Sequence, residues 1–362
     1  MTAALEAATE HQPRARVALN AALASGPSHA YLFRGPRGAG KRAAARAFAA
    51  EIVAAAAEDP EDARRRALLD PSPHPDLVWL APRGAQHLVE EVRERVIRAA
   101  AYRPYEGGKR VFVVEAAEEM RDESQNALLK TLEEPPRYVH LILLSSEPEA
   151  LLETVASRCQ PVDFAPLPIP AIEAALSGAG DPDELAAAAR LSAGDLDRAR
   201  FLLSDPGREL RAQAHELGKA LATGIPWRQL LDSAEAAGED AEAATRESLE
   251  EESSAGIKRS AKDITDEAKR AARRRRTEIL DLGLELVAAW FRDLAAVASA
   301  ASEVAYNQDR LPQLQSQAQN LDPAAARRAA ELVQDTRRRL DLNVSEELAL
   351  EALFSRLERT FA

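Results

Sequence analysis

The residues best suited to chemistry lie in a glycine-rich stretch near the amino terminus. They are Gly35, Gly38, Gly40, Lys41 and Arg42, in the pattern G-x-x-x-x-G-K-R. Glycines at this spacing let backbone N–H groups surround a phosphate, and the lysine adds positive charge at the β- and γ-phosphates. A predicted strand at 30–34 precedes the stretch and a predicted helix at 43–57 follows it. This context favours a phosphate-binding loop over an ordinary glycine turn.

Arg42 is an unusual residue for such a loop. Ser or Thr normally follows the lysine, and its hydroxyl holds Mg²⁺. Without that hydroxyl, the loop is expected to bind ATP or ADP weakly, through Lys41 and backbone amides, and to lack one metal ligand for hydrolysis.

Two further polar residues follow predicted buried strands. Glu115 comes directly after the apolar run at 110–114, and Ser146 closely follows the run at 140–144. Ligands of open parallel sheets bind beyond the carboxyl ends of the strands, so both residues are expected beside the loop. Ala116 follows Glu115, so this position offers no carboxylate to orient an attacking water.

Two motifs carry a resemblance to a known family. Gln125–Pro136 reads QNALLKTLEEPP, and Ser157-Arg158-Cys159 follows the next strand. In this order the motifs resemble the bacterial clamp-loader branch of the AAA+ ATPases, and the resemblance is dense over residues 28–163. It implies an α/β P-loop domain with a parallel sheet flanked by helices, then a small helical lid domain, then an all-helical collar domain. The predicted bounds are 1–164, 165–207 and 208–362.

The resemblance also implies roles for two arginines. Arg158 would reach in trans into the nucleotide site of a neighbouring subunit, where a permanently charged planar guanidinium suits a transferring phosphoryl group. The alternative is an arginine bound within its own chain, to a carbonyl or to Glu153. Arg198 is the candidate for the arginine that the lid places over the nucleotide, and its alternative is a solvated helix arginine. Family members usually carry Asp at position 115 and a catalytic Glu at 116, so the chain's own ATPase is expected to be absent or weak.

The function implied is loading of a sliding clamp onto primed DNA within the DNA polymerase III holoenzyme, a nucleotidyltransferase complex. The implied partners are the motor subunits gamma or tau and the clamp-opening subunit delta in a hetero-pentamer, with primed DNA contacted indirectly. Two other readings stay open. One is an active ATPase motor of the gamma or tau type, and the other is a nucleic-acid-binding module that uses Arg273–Arg276.

The composition of the chain helps to choose among these possible functions. The chain has 362 residues and a net charge of −12, whereas tight autonomous nucleic-acid binding usually requires a basic face. Cys159 is its single cysteine, so no internal disulfide forms, and the four zinc cysteines of many relatives are missing. His74 and Asp76 are too few to hold a metal, and a turn before a strand is the expected role. No apolar run is long enough to span a membrane, and a cytoplasmic location is expected.

A charged insertion spans about 239–276. It is acidic up to Glu252 and basic from Lys258 onward, with few large aliphatic residues. We expect a charged helical extension or a partly disordered segment, because such a sequence can bury little apolar surface.

Overall fold

The computed structural model describes residues 2–82, 87–219, 227–254, 260–319, 321–340 and 344–361, with residues 251–254 described by their backbone alone. The chain forms two compact units, Met1–Pro168 and Ile169–Ala362. The predicted division of the helical part into a lid and a collar at residue 207 stays a prediction.

The first unit is built on a five-stranded parallel sheet. Its strands are β1 Ala30–Arg34, β2 Leu77–Leu80, β3 Arg110–Val114, β4 Val139–Ser145 and β5 Gln160–Asp163. Its helices are α1 Ala3–Ala8, α2 Pro13–Ser25, α3 Lys41–Ala54, α4 Pro60–Leu68, α5 Val89–Glu91, α6 Asp122–Glu133 and α7 Glu153–Ala156. Helix α5 continues as a π-helical stretch, Val92–Arg98. The strand order is β2-β3-β4-β1-β5, which confirms the predicted α/β fold class.

The central strands are mostly apolar, and helices cover both faces of the sheet. Every residue of β3 and β4 is buried. On one face, Phe33 and Ile142 pack with Phe48 of α3 and Leu19 of α2. On the other face, alternate strand residues pack against α6 and the π-helical stretch. Continuous apolar strands are therefore explained by burial on two sides.

The prolines of Pro161–Pro170 predict a connector after Cys159, whereas the structure places strand β5 at Gln160–Asp163. The strand pairs with β1 at the edge of the sheet, where Pro161 lies opposite Leu32. An edge strand tolerates proline because one of its sides has no ladder to which an N–H must donate. The prediction was wrong because a local breaker signal does not reveal whether a strand is central or at an edge.

The second unit is helical throughout its described residues. Its α-helices are α8 Ile169–Ala175, α9 Pro182–Leu191, α10 Leu196–Leu203, α11 Asp205–Lys219, α12 Arg228–Ser254, α13 Ala261–Ala298, α14 Leu311–Ala318, α15 Pro323–Leu340 and α16 Glu346–Phe361. The core gathers along α13, where Leu284, Trp290 and Phe291 are buried. This agrees with the predicted helical carboxyl-terminal part.

The described residues of the charged insertion are helical, which agrees with the first of the two predicted alternatives. Its two halves form most of α12 and the start of α13, while Ile257 and Lys258 lie outside the described residues. Gly238 of α12 lets the two helices approach closely, since a Cβ there would lie 3.0 Å from the carbonyl oxygen of Ala272. Leu249 and Ala268 are buried. Small residues at the helix contact compensate for the scarcity of large apolar ones.

The basic run in α13 is largely paired within its own unit. Arg274 binds Glu278 at 3.1 Å, the guanidinium of Arg275 lies over the ring of Phe201, and Arg276 binds Glu346 at 2.7 Å. These contacts favour the structural reading of the run over a nucleic-acid-binding one, although the acidic partners come from outside the acidic half of the insertion.

Among the described residues, no helix combines the length and the apolar character that crossing a bilayer requires.

Our first prediction concerns Gly218 in α11. A Cβ at this position would lie 2.1 Å from Cδ1 of Trp290, whose indole N–H donates to Gln317 at 3.1 Å and is thereby held in place. Gly218→Ala should lower the free energy of unfolding by about 1–3 kcal/mol through overpacking, although helix propensity alone predicts a gain of about 1 kcal/mol.

The matched control is Gly283→Ala in α13. Its Cβ would meet only the ends of the flexible side chains of Leu230 and Leu210. Thermal unfolding of both variants tests the argument, and equal melting temperatures for the two would contradict it.

Candidate nucleotide-binding site

The glycine loop lies between β1 and α3, at the carboxyl edge of the sheet. Gly38 and Gly40 have positive φ angles of 63° and 87°, and Gly40 is the N-cap of α3. Gly35 also has a positive φ, and a Cβ there would lie 2.1 Å from the carbonyl oxygen of Phe164. Glycine is therefore required at Gly35 both for backbone conformation and for space.

A buried glutamine ties this loop to the chain that leaves the sheet. The side-chain amide of Gln12 donates to the carbonyl of Ala39 at 3.0 Å and to that of Ala165 at 2.7 Å. Its carbonyl oxygen accepts from the backbone N–H of Ala165 at 2.9 Å. Sequence reasoning missed Gln12, because a lone glutamine before a helix gives no local signal of such a contact.

Lys41 and Ser146 are brought together as predicted from their strand ends. The ammonium group of Lys41 donates to the loop carbonyls of Gly35 at 2.5 Å and Pro36 at 2.6 Å, and lies 3.3 Å from the Ser146 hydroxyl. The backbone N–H of Ser146 donates to Glu118 at 3.0 Å. Lys41 thus has its charge inside the loop, where a phosphate would compete with the carbonyls for it.

Arg42 lies between two carboxylates. Its guanidinium is 3.1 Å from Asp70 and 3.6 Å from Glu115. Glu115 was predicted to lie beside the loop, and it does, whereas Asp70 comes from the segment after α4 and carried no sequence signal. The arginine that replaces the usual hydroxyl therefore pairs with the acid at the end of β3.

Trp79 of β2 holds this charged group in place. Its indole N–H donates to Glu115 at 2.9 Å, and the guanidinium of Arg46 lies 4.5 Å from its ring centroid. Arg46 also binds Asp70 at 2.8 Å. Burial lowers the pKa of Arg46, and its partner Asp70 opposes this effect. Arginines and carboxylates thus alternate around the ring of Trp79. An aromatic residue at the carboxyl end of a strand was the signal that could have revealed Trp79.

These residues do not fit the Mg²⁺ that phosphate loops of this kind normally use. The hydroxyl ligand is replaced by Arg42, and Glu115 is already engaged by Arg42 and Trp79. Within the ranges that the structure describes, no group of three or more His, Cys, Asp or Glu side chains could hold a metal. The position is therefore occupied by a cation of the protein's own.

Ala116, the residue after Glu115, carries no carboxylate. Its backbone is left-handed, with φ 49° and ψ 55°, which is uncommon for a residue other than glycine. The ring of His87 lies 2.7 Å from the backbone carbonyl of Glu115 and was missed by sequence reasoning. Burial lowers the pKa of His87, so its imidazole is neutral near pH 7.

Arg158 follows α7, outside the phosphate loop, and its side chain is 36% exposed. Its guanidinium donates to the carbonyl of Thr154 at 2.8 Å and to Glu133 at 2.7 Å. The predicted alternative partner Glu153 is thus replaced by Glu133, from the motif in α6. Cys159 beside it is buried, which raises the pKa of its thiol to about 12.

Arg198 lies in the second unit and is paired there. Its guanidinium binds Glu285 of α13 at 2.9 Å, and Arg337 binds the same carboxylate at 3.1 Å. The reading of Arg198 as a solvated helix arginine is therefore incorrect, because its side chain is only 20% exposed. Its predicted role over a nucleotide stays a prediction.

Asp76 has a structural position before β2. Its carboxylate accepts the backbone N–H groups of Tyr105 at 2.8 Å and Glu106 at 2.9 Å. The nearby His74 accepts from the N–H of Asp76 at 3.2 Å through Nδ1. This agrees with the predicted turn role of the pair.

Comparison with known proteins finds relatives of the first unit. A family model described as DNA polymerase III, delta subunit, matches residues 11–168. The chain is 38% identical over 206 residues to subunit delta′ of DNA polymerase III from Pseudomonas aeruginosa. The matched region covers 54% of this chain and 61% of that protein. The amino-terminal half of the chain is thus similar to subunit delta′ of DNA polymerase III.

Other relatives extend this delta-prime match to neighbouring subunit types. The delta′ subunit from Bacillus subtilis is 34% identical over 40% of this chain and 45% of its own length. The tau subunit of the same organism is 33% identical over 46% of this chain and 30% of its own length. The chain thus spans less than two thirds of the length of the curated relatives that it matches. A solved DNA polymerase III gamma subunit-related protein from Thermotoga maritima aligns over 96% of this chain and 99% of its own length, at 14% identity and a TM-score of 0.43.

Asp76 offers a test of the turn assignment in the first unit. Asp76→Ala leaves two backbone N–H groups without their acceptor, so the free energy of unfolding should fall by about 1–3 kcal/mol. Asp76→Asn keeps one acceptor oxygen and should lose less. Both values are read from denaturant unfolding. A melting temperature of the wild type that drops on addition of a chelator would instead indicate a metal at this position.

Proposed function

We propose that this chain is the delta-prime subunit of a DNA polymerase III clamp loader, a ring member that does not turn over ATP at its own site. Its work is to supply Arg158 to the nucleotide site of a neighbouring motor subunit. The observation that carries the proposal is the ion pair between Arg42 and Glu115, because it places a protein cation where a hydrolytic site needs a metal.

The absence of a general base at position 116 supports the same conclusion. A water attacking the γ-phosphate needs a group that orients it and accepts its proton. Ala116 offers none, and the Glu115 carboxylate is held by Trp79 and Arg42. Two steps of the reaction, metal binding and water activation, thus lack their groups in the same site.

The contacts of Arg158 support its action in trans. Its ion pair with Glu133 joins two exposed side chains, which are 36% and 50% exposed. Exposed ion pairs contribute at most about 1 kcal/mol, so releasing Arg158 toward a neighbour costs little. A planar guanidinium could then form paired hydrogen bonds with the oxygens of a γ-phosphate.

The partners follow from the proposed role. They are motor subunits of the gamma or tau type and the clamp-opening delta subunit in a hetero-pentamer that loads a sliding clamp. Primed DNA would be contacted through the assembly, in keeping with a net charge of −12 on this chain. The replisome that holds such a complex would place it in the cytoplasm, at the nucleoid.

The competing function is an active motor of the tau or gamma type. The relative named tau in Bacillus subtilis, at 33% identity, favours it, as does the retained Lys41. Both functions predict a folded phosphate loop. They differ in whether the isolated chain hydrolyses ATP.

ATPase activity of the isolated chain separates the two functions. We expect turnover near background in Mg²⁺, and the same low value for Lys41→Ala. A rate comparable with active AAA+ subunits, abolished by Lys41→Ala, would establish the motor function instead.

The trans role is tested in a ring reconstituted with motor and delta subunits. With Arg158→Ala, assembly should survive, since the side chain is exposed. Turnover at the site that it faces should fall by roughly 10³-fold or more. Arg158→Lys keeps the charge but loses the fork and should recover only part of the rate.

Arg93→Ala is the control, because Arg93 is another half-exposed arginine of the same unit, paired with Glu90 at 3.8 Å. It should leave clamp-dependent ATPase unchanged. If Arg158→Ala behaves like Arg93→Ala, the trans assignment is wrong.

A further inference from the structure

The phosphate loop keeps every feature that binds an anion and has lost the one that binds a metal. Gly38 and Gly40 retain the positive φ angles of 63° and 87° that turn backbone N–H groups inward at the start of α3. Lys41 follows with its ammonium group inside the loop. Within the loop motif, the departure from the usual residues is Arg42, which follows Lys41.

Arg42 brings a permanent positive charge to that position. A guanidinium stays protonated throughout the physiological pH range, and its five N–H donors suit phosphate oxygens as well as carboxylates. It contacts Asp70 at 3.1 Å and Glu115 at 3.6 Å, and its side chain is still 54% exposed. Arg42 can therefore neutralise Glu115 and still present N–H groups to a ligand.

The same charge opposes a divalent cation. Mg²⁺ requires oxygen ligands in near-octahedral geometry. Glu115, the acid that would supply one, accepts the indole N–H of Trp79 at 2.9 Å and faces Arg42. A metal placed here would lie against a like charge and compete with both contacts.

Resting on the proposed function, in which this site does not hydrolyse ATP, we propose that the loop binds a polyphosphate group without a divalent cation. The phosphate charge is neutralised by Lys41 and Arg42 instead. The ligand chemistry is that of a diphosphate or triphosphate, which a nucleotide or free pyrophosphate could supply. Bound in this way, the ligand orders the loop but cannot be hydrolysed.

Binding of ADP and of pyrophosphate to the full chain, measured by calorimetry in excess Mg²⁺ and in EDTA, tests this inference. We expect the affinity for ADP in EDTA to equal or exceed that in Mg²⁺, because Mg²⁺ masks the charges that Lys41 and Arg42 recognise. Equal affinity for pyrophosphate would assign recognition to the phosphates alone, and weaker affinity would assign it to a nucleotide. Both results support metal-free binding.

Two variants should change the affinity in EDTA in opposite directions. Arg42→Ser restores the metal-binding hydroxyl, so affinity in EDTA should fall roughly tenfold through loss of a charged hydrogen bond, and Mg²⁺ should now strengthen binding. Glu115→Gln frees Arg42 from a carboxylate and should tighten binding in EDTA several-fold. Arg93→Ser, outside the loop, is the control and should bind as the wild type does.

Two results would overturn the inference: wild-type affinity that is higher in Mg²⁺ than in EDTA, or no binding of either ligand in EDTA. Turnover measured in the same Mg²⁺ samples separates this failure from failure of the proposed function. A chain that binds only Mg²⁺-nucleotide but does not hydrolyse it refutes the inference alone, whereas a chain that hydrolyses it refutes the proposed function.

Discussion

The parallel pairing of β1 with β4 at the centre of the sheet is the constraint on which the site depends. In this register Arg34 lies opposite Ser145, and the backbone N–H of Gly35 donates to the carbonyl of Ser145 at 3.2 Å. The loop therefore begins beside the end of β4, and Lys41 reaches Ser146. The adjacent pairing of β4 with β3 brings Glu115 to the same edge, since parallel strands end together.

At this edge of the sheet, the charges differ from those of a metal-dependent nucleotide site. A metal-dependent site balances several phosphates against a divalent cation that oxygen ligands hold. Here Arg42 and Arg46 alternate with Asp70 and Glu115 around the indole of Trp79. The opposite charges of this cluster balance one another without a ligand. The exposed Arg158 lies apart from this cluster and contacts the carbonyl of Thr154 and the exposed carboxylate of Glu133.

Sequence patterns predicted four of the five strands from short, mostly apolar runs, among them Leu77–Leu80 of β2. They failed at β5, where Pro161 suggested a connector and the edge position made proline acceptable. They allowed a helical charged insertion but underestimated its packing, since small residues such as Gly238 let two helices approach closely without large side chains. In each case the decisive fact was the neighbour in space.

The sequence by itself determined the phosphate loop, the absence of a carboxylate at Ala116, and the placement of Glu115 and Ser146 at strand ends. These follow from local rules, because backbone conformation and residue chemistry act over a few positions. Only the tertiary structure decided that Arg42 pairs with Glu115 and Asp70, that Arg158 binds Glu133, and that Arg198 binds Glu285. Long charged side chains reach several ångströms in many directions, so their partners are set by which elements the fold brings within that reach.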